Sequence, residues 1–195
     1  MIKIILATTS PYRIEAFKFL DIPFESEGSD VDESQIERSD PEKLVETLSE
    51  LKAQAVADKH SDAIIIGMDS VSYFNGKIFE KPKSREENFV RLKSLSGKQS
   101  QFYTGICMIN NVQGKKITKV VKTEIFFRDI SEAEINKYLD QDKYFNTYAS
   151  GYDPLKYISS TFISRLEGSY NNPLRGIPLE VIVDMLQEIG YKDET

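Results

Sequence analysis

The nine residues Ala63-Ile64-Ile65-Ile66-Gly67-Met68-Asp69-Ser70-Val71 constrain this chain more than any other stretch. The apolar run is too continuous for a strand with one wet face. It reads as a strand covered on both sides, in the middle of an α/β sheet. Asp69 interrupts the run and is expected at the end of that strand, where α/β folds place their ligands. An aspartate satisfied in a turn is the plainer account, but the strand continues through Tyr73 and Phe74, and a carboxylate inside such a run needs a partner. Asn75-Gly76 then turns the chain into a hairpin onto residues 77–80, leaving Lys81 on a rim before Pro82.

The remaining segments alternate strand and helix. Ile5-Leu6-Ala7 reads as a strand followed by a helix with Ser10 at the N-cap and Pro11 at the first helical position. The third helical position holds Arg13, which the positive end of the helix dipole disfavours unless an anion lies beside it or the arginine points into water. Asp30, Asp32 and Glu33 form an acidic run, either a solvated turn or, through Glu33 or Asp32, hard oxygen ligands for a divalent cation. Asp40-Pro41 opens a helix with Leu44, Leu48, Leu51 and Ala55 as its expected buried stripe, and Lys52 beside it either snorkels or reaches into a cleft. Ser84 with Glu87 and Ser131 with Glu134 predict capping boxes, and residues 101–109 and 116–127 predict long paired strands. Residues 144–157 are tyrosine-rich and irregular, residues 161–166 form a short strand, and a last helix turns Ile182, Met185, Leu186 and Ile189 inward. The pattern is α/β, one domain over residues 1–195 with a β-rich second lobe at about 75–145.

Composition removes several function classes. The net charge of −6 argues against a nucleic-acid polymer or a membrane surface as partner. The first residues pass straight into a strand without a charged-then-apolar leader, so a cytoplasmic location is expected. One cysteine, Cys107, excludes an intrachain disulfide and a cysteine-built zinc site, and one histidine, His60, at a solvated helix end, removes Ser-His nucleophilic chemistry. Carboxylates, lysines and arginines are left to carry the chemistry.

These motifs, in this order, resemble the Maf family of nucleoside triphosphate pyrophosphatases. The resemblance is carried by Ala7, Ser10-Pro11, Arg13 and Glu15, then Val31-Asp32-Glu33, Lys52-Ala53, Gly67-Met68-Asp69 and Lys81-Pro82. Later come Leu95-Ser96-Gly97, Tyr103-Thr104-Gly105, Leu166-Glu167-Gly168 and Gly176-Ile177-Pro178-Leu179. It implies a mixed central sheet flanked by helices, two lobes with a cleft between them, and cleavage of the α–β phosphoanhydride of a nucleoside triphosphate with a divalent cation, Mg²⁺ or Mn²⁺. By the same resemblance Asp69 is the general base, and Glu33 with Asp69 serves the metal or the water. Lys52 and Lys81 neutralise polyphosphate, Ser10 and Arg13 hold phosphate, and Glu15 and Ser70 join the substrate site. Phosphoryl transfer suits this residue set, since it needs positioning and charge neutralisation more than a covalent nucleophile.

The chain departs from the family pattern at Tyr12, where many members carry a first arginine, at Ser70, and across Gly151-Tyr152-Asp153-Pro154-Leu155. Tyr12 and Phe102-Tyr103-Thr104-Gly105 resemble the branch acting on 7-methyl-GTP rather than dTTP or UTP, with Tyr12 stacking on a cationic purine and Asp153 reading the guanine edge. The alternatives are an inosine-triphosphate-type pyrophosphatase, which carries Asn and Lys where this chain has Ser10 and Arg13, and a nucleotide-binding regulator without catalysis. A homodimer is the default for a soluble enzyme of this kind.

Overall fold

The computed structural model describes residues 2–192. In chain order it contains β1 (Lys3–Ala7), α1 (Pro11–Phe17), β2 (Glu25–Glu27), α2 (Pro41–Ala57), β3 (Ala63–Phe74) and β4 (Lys77–Phe79). There follow α3 (Arg85–Leu95), β5 (Gln99–Asn110), β6 (Lys115–Phe127), α4 (Glu132–Gln141), β7 (Ile163–Glu167), α5 (Asn171–Arg175) and α6 (Leu179–Glu188). The strands form one mixed seven-stranded sheet in the order β2-β1-β3-β5-β6-β7, with β4 paired to the far end of β3. β1 is parallel to β2 and β3, while β3, β5, β6 and β7 are successively antiparallel.

Strand alternation explains why the isoleucine run is buried twice over. Ile4, Leu6, Ile64, Ile66, Met68, Ile106 and Met108 face α1 and α6, whose Phe17, Ile182, Met185 and Leu186 cover them. Ile5, Ala7, Ile65, Cys107 and Ile109 face the opposite way, onto Ala53, Val56 and Ala57 of α2. A separate core, built on Leu92, Leu95, Phe102, Ile125, Ile135, Tyr138 and Phe162, fills the space between α3, α4 and the far part of β5 and β6. Asn75 (φ 48°) and Gly76 (φ 76°) make the β3–β4 turn, a conformation that Asn-Gly adopts at small cost. No helix among the described residues is long and apolar enough to cross a membrane.

Several local expectations change. In α2 the Asp40 side chain caps as expected, accepting from the Glu42 and Lys43 amides at 2.9 and 3.2 Å, but the buried face is Leu44, Val45, Leu48, Ser49, Ala53, Val56 and Ala57. Leu51 is 38% exposed and Ala55 half-buried. The small residues win because α2 lies directly against Gly67 and Gly105. A Cβ on Gly67 would overlap the Ser49 carbonyl and lie 2.7 Å from the Ala53 Cβ, and one on Gly105 would overlap the Val45 carbonyl. His60 is half-buried rather than solvated, with Nε2 2.7 Å from Glu27 Oε2, so it ties the end of α2 to β2. Ser84 caps α3 through the Glu87 amide, whereas the Glu87 carboxylate returns to the Lys83 amide, one residue short of a closed box.

At α4 the box is complete, and Arg128 adds an ion pair to Glu134 at 2.7 Å. The hydrogen bond from Arg128, then those from the Ser131 amide and hydroxyl, pull the Glu134 carboxyl from 4.5 down to about 2. A depressed carboxyl contributes stability that is complete above its unfolded value and lost as the pH falls toward the folded one. Melting temperature should therefore fall between about pH 4.5 and 2 more steeply in the wild type than in Glu134→Gln. Parallel melting curves for the two would show that the pair contributes nothing there.

Candidate active site

A cleft opens where β1 stops. β1 and β3 stay in register to Ala7↔Gly67, after which the chain turns through Thr8–Ser10 into α1 while β3 runs on alone along that edge. Alternation then sends Asp69 to the α2 side of the strand and Ser70 to the α1 and α6 side. Asp69 is thus mid-strand, paired with Gly105, rather than at a strand end. It becomes accessible because its neighbouring strand has ended, not because its own has.

Each of the two side chains meets a cation from its own layer. Lys52, one turn beyond Leu48 on α2, does not snorkel: its Nζ donates to Asp69 Oδ1 at 2.6 Å and lies 2.9 Å from Glu33 Oε1. Glu33 arrives on the loop between β2 and α2, steadied by Arg38 at 3.5 Å, and Arg38 pairs with Glu80 at 2.7 Å. Asp32 turns back on its own loop, accepting from the Ser34 amide at 2.9 Å, a bond that also pulls its carboxyl down. On the opposite layer Arg13 spreads its fork over three acceptors: Nε to the Gly176 carbonyl at 2.9 Å, Nη1 to the Met68 carbonyl at 2.9 Å and Nη2 to Ser70 Oγ at 2.7 Å. Met68 takes this side-chain donor just past the point where β1 leaves the sheet, which settles a carbonyl that would otherwise be buried at a broken edge. Burial pulls the Arg13 guanidinium below its usual range while the Asp69 charge pulls it back up, and it remains charged. The residue at the disfavoured helical position is compensated by protein oxygens, with two N–H groups still unspent.

Ser10 occupies the N-cap position of α1 but its side chain caps nothing, and its amide donates to Thr8 Oγ1 at 3.1 Å. Ser10, Tyr12, Arg13, Lys52, Asp69, Ser70, Lys81 and Asp153 all line one cleft of about 780 Å³, well within the range of ligand pockets. Glu33 joins them through Lys52. Glu15 is exposed on α1, apart from the residues lining the cleft.

The far wall is the segment 144–157 with the end of α5. The Tyr12 hydroxyl is 3.1 Å from Thr147 Oγ1 and its ring centroid 5.2 Å from that of Tyr148, inclined at 50°. Burial, with the Tyr12 hydroxyl second, pushes the Tyr148 phenol up, so the Tyr148 ring stays neutral at ordinary pH. Asp153 is 1% exposed and faces Arg175 Nη1 at 3.4 Å and Lys156 Nζ at 3.9 Å. Tyr148, Lys156 and Arg175 are lining residues that sequence reasoning passed over. Tyr148 was hidden among several tyrosines of an irregular stretch, and an arginine in the last turn of a helix is ordinarily explained by the helix dipole.

Chemically, this is a cleft with carboxylates, lysines and an arginine at one end and aromatic rings with an ion pair at the other. Among the described residues no group of three or more His, Cys, Asp or Glu side chains could hold a metal by itself. Asp69 and Glu33 converge on Lys52 Nζ, and their remaining oxygens are hard donors of the kind that bind Mg²⁺ when substrate phosphates and waters complete its shell.

A family model described as Maf-like protein matches residues 3–189. The chain is 34% identical over 188 residues to a Nitrosococcus oceani protein named 7-methyl-GTP pyrophosphatase, covering 96% of this chain and 94% of that one. It is 35% identical over 189 residues to a Synechococcus protein named nucleoside triphosphate pyrophosphatase, again covering 96% and 94%. Among solved structures, the Ham1 protein of Staphylococcus aureus superposes with a TM-score of 0.58 at 18% identity, over 95% of this chain and 98% of that one. A HAM1 protein from Coxiella burnetii gives 0.55 at 16%, over 96% and 100%. At that identity the likeness is one of fold. The family match, by contrast, spans every element from β1 to the end of α6 and every residue that meets at Lys52 and Arg13, and on it this chain belongs to the Maf family.

Proposed function

We propose that this protein is a nucleoside triphosphate pyrophosphatase, dependent on Mg²⁺ or Mn²⁺, whose preferred substrate is 7-methyl-GTP rather than dTTP or UTP. The observation that carries the reading is Lys52 held between Asp69 and Glu33 at the polar end of a nucleotide-sized cleft. In the reaction a water oxygen attacks the α-phosphorus, the bond from that phosphorus to the α–β bridging oxygen breaks, and pyrophosphate leaves with the bridging electrons. Asp69 takes the water's proton on the carboxylate oxygen that Lys52 does not occupy. Lys52 and Lys81 meet the charge of the polyphosphate, the Ser10 hydroxyl is left over from capping to donate to a phosphate oxygen, and Arg13 holds the edge of β3 rigid beneath them. Asp69 and Glu33 would hold the cation, which when bound would add neutralisation of the developing charge on the phosphates.

Two features favour a methylated purine. Tyr12 and Tyr148 line the base end, where a cationic ring is attracted by π-density. The Nitrosococcus oceani relative is named for that substrate.

Pyrophosphate release by the purified protein should be highest with 7-methyl-GTP in a panel including GTP, ITP, XTP, dTTP and UTP, and should vanish on chelation of the cation. Preference for ITP or XTP would overturn the substrate assignment in favour of the inosine-triphosphate type. Nucleotide binding without pyrophosphate release from any member would overturn the enzymatic reading and leave a regulator.

A further inference from the structure

Asp153 is an unusual residue to find at the base end of the cleft. It is 1% exposed, and its two oxygens differ. Oδ1 accepts from the Leu155 amide at 2.9 Å and from Arg175 Nη1 at 3.4 Å. Oδ2 is buried and accepts no hydrogen bond from any described residue, and Lys156 Nζ lies 3.9 Å from it. A buried carboxylate oxygen without a donor carries an uncompensated desolvation cost. Arg175 is the complementary case. Its side chain is 16% exposed and lines the same cleft, yet its two hydrogen bonds, to Asp153 Oδ1 and to the Leu174 carbonyl at 3.5 Å, are both long and both from Nη1. Most of the guanidinium fork is unspent.

The pair is also held from behind. The Asp153 amide donates to Tyr138 Oη at 3.2 Å, Tyr138 donates to Asp142 Oδ2 at 2.7 Å, and the Asp153 carbonyl accepts from Ser159 at 2.6 Å. Asn88 Nδ2 donates to the Gly151 carbonyl at 2.6 Å. A donor and an acceptor fixed side by side in this way form a site prepared for a planar edge with the opposite pattern.

We propose that Arg175 and Asp153 together read the six-position of a purine, Arg175 donating to a C6 oxo group and Asp153 Oδ2 accepting from the adjacent N1–H and, in guanine, from the 2-amino group. The selected class is the 6-oxopurine nucleoside triphosphate, with or without a 7-methyl group; the inference rests on the reading of the cleft as a nucleotide site. A 6-aminopurine presents an N–H group to Arg175 and a lone pair to Asp153, so both contacts become repulsive and the buried Asp153 Oδ2 gains no donor from N1. Mismatches of that kind give the strongest discrimination binding sites achieve. Arg175 is thereby a specificity residue that acts apart from the phosphate chemistry at Asp69.

The test compares GTP with the triphosphate of 2,6-diaminopurine riboside, which differs in having an amino group at C6 and no N1–H. The wild-type protein should favour GTP in kcat/KM by about 100-fold or more. Arg175→Met should lower kcat/KM for GTP by about 10- to 100-fold, largely through KM, while leaving the diaminopurine substrate within about threefold. Should Arg175→Met fail to fold, Arg175→Lys, which keeps a cation beside Asp153 but withdraws the fork, carries the same comparison. Equal losses for both substrates, or a wild-type preference below about threefold, would overturn the proposal. Equilibrium binding of both nucleotides is measured alongside. A wild-type protein that binds GTP selectively but releases no pyrophosphate would sink the enzymatic reading and leave the reader standing, whereas cleavage of both substrates at equal efficiency would do the reverse.

Discussion

Asp69→Asn should abolish pyrophosphate release, with kcat reduced about 10²- to 10⁴-fold, while nucleotide binding stays measurable and the fold is unchanged. Asparagine keeps the size of the side chain and an oxygen for Lys52 Nζ, now 2.6 Å from Asp69 Oδ1, but cannot accept a proton from water. Lys52 keeps its ion pair with Glu33 in the variant and stays beside the polyphosphate, so nucleotide affinity should change little. The loss is therefore expected in kcat and not in KM, the signature of an interaction made only in the transition state. A variant retaining more than about a tenth of wild-type kcat would remove Asp69 from the role of base.

Gly67→Ala should be among the most damaging single-methyl additions available to this chain, costing about 3 kcal/mol or more and lowering the melting temperature by about 6–12 °C. The added carbon would overlap the Ser49 carbonyl and the Ala53 amide of α2. Both are backbone atoms of a long helix and cannot rotate away. The helix must lift, and Lys52 between Ser49 and Ala53 lifts with it, so activity should fall beyond what lost stability accounts for. Thermal melting with kcat measured well below the transition separates the two effects. A Gly67→Ala protein melting within a degree or two of wild type would mean that α2 is seated less tightly than its contacts indicate.

The sheet was readable from the sequence because its signals are local and strong. The isoleucine run, the Asn-Gly turn and the Ser131–Glu134 box each draw their information from a few neighbouring residues. That Ser10, Arg13, Lys52 and Asp69 would meet in one cleft was also legible, since two stand in the first turn of α1, one beside the apolar stripe of α2 and one within the isoleucine strand. The phasing of α2 was not: Leu51 is a better apolar residue than Ser49, and only the glycines opposite, one of them dozens of residues away, turn the smaller residue inward. The Arg175–Asp153 pair was equally out of reach, because one member lies on an irregular loop and the other at the end of the short helix α5, twenty-two residues apart, and neither follows a periodic pattern.

The far wall of the cleft is suspended from Asn88 and Tyr138, in a core separate from the one that seats α2. The two ends of the cleft can consequently vary on independent terms. On the proposed reading, exchanges along residues 144–157 and at Arg175 would re-address the protein to another base while the apparatus around Asp69 is inherited intact, so a lineage built on this plan could acquire new substrates without rediscovering how to cut them.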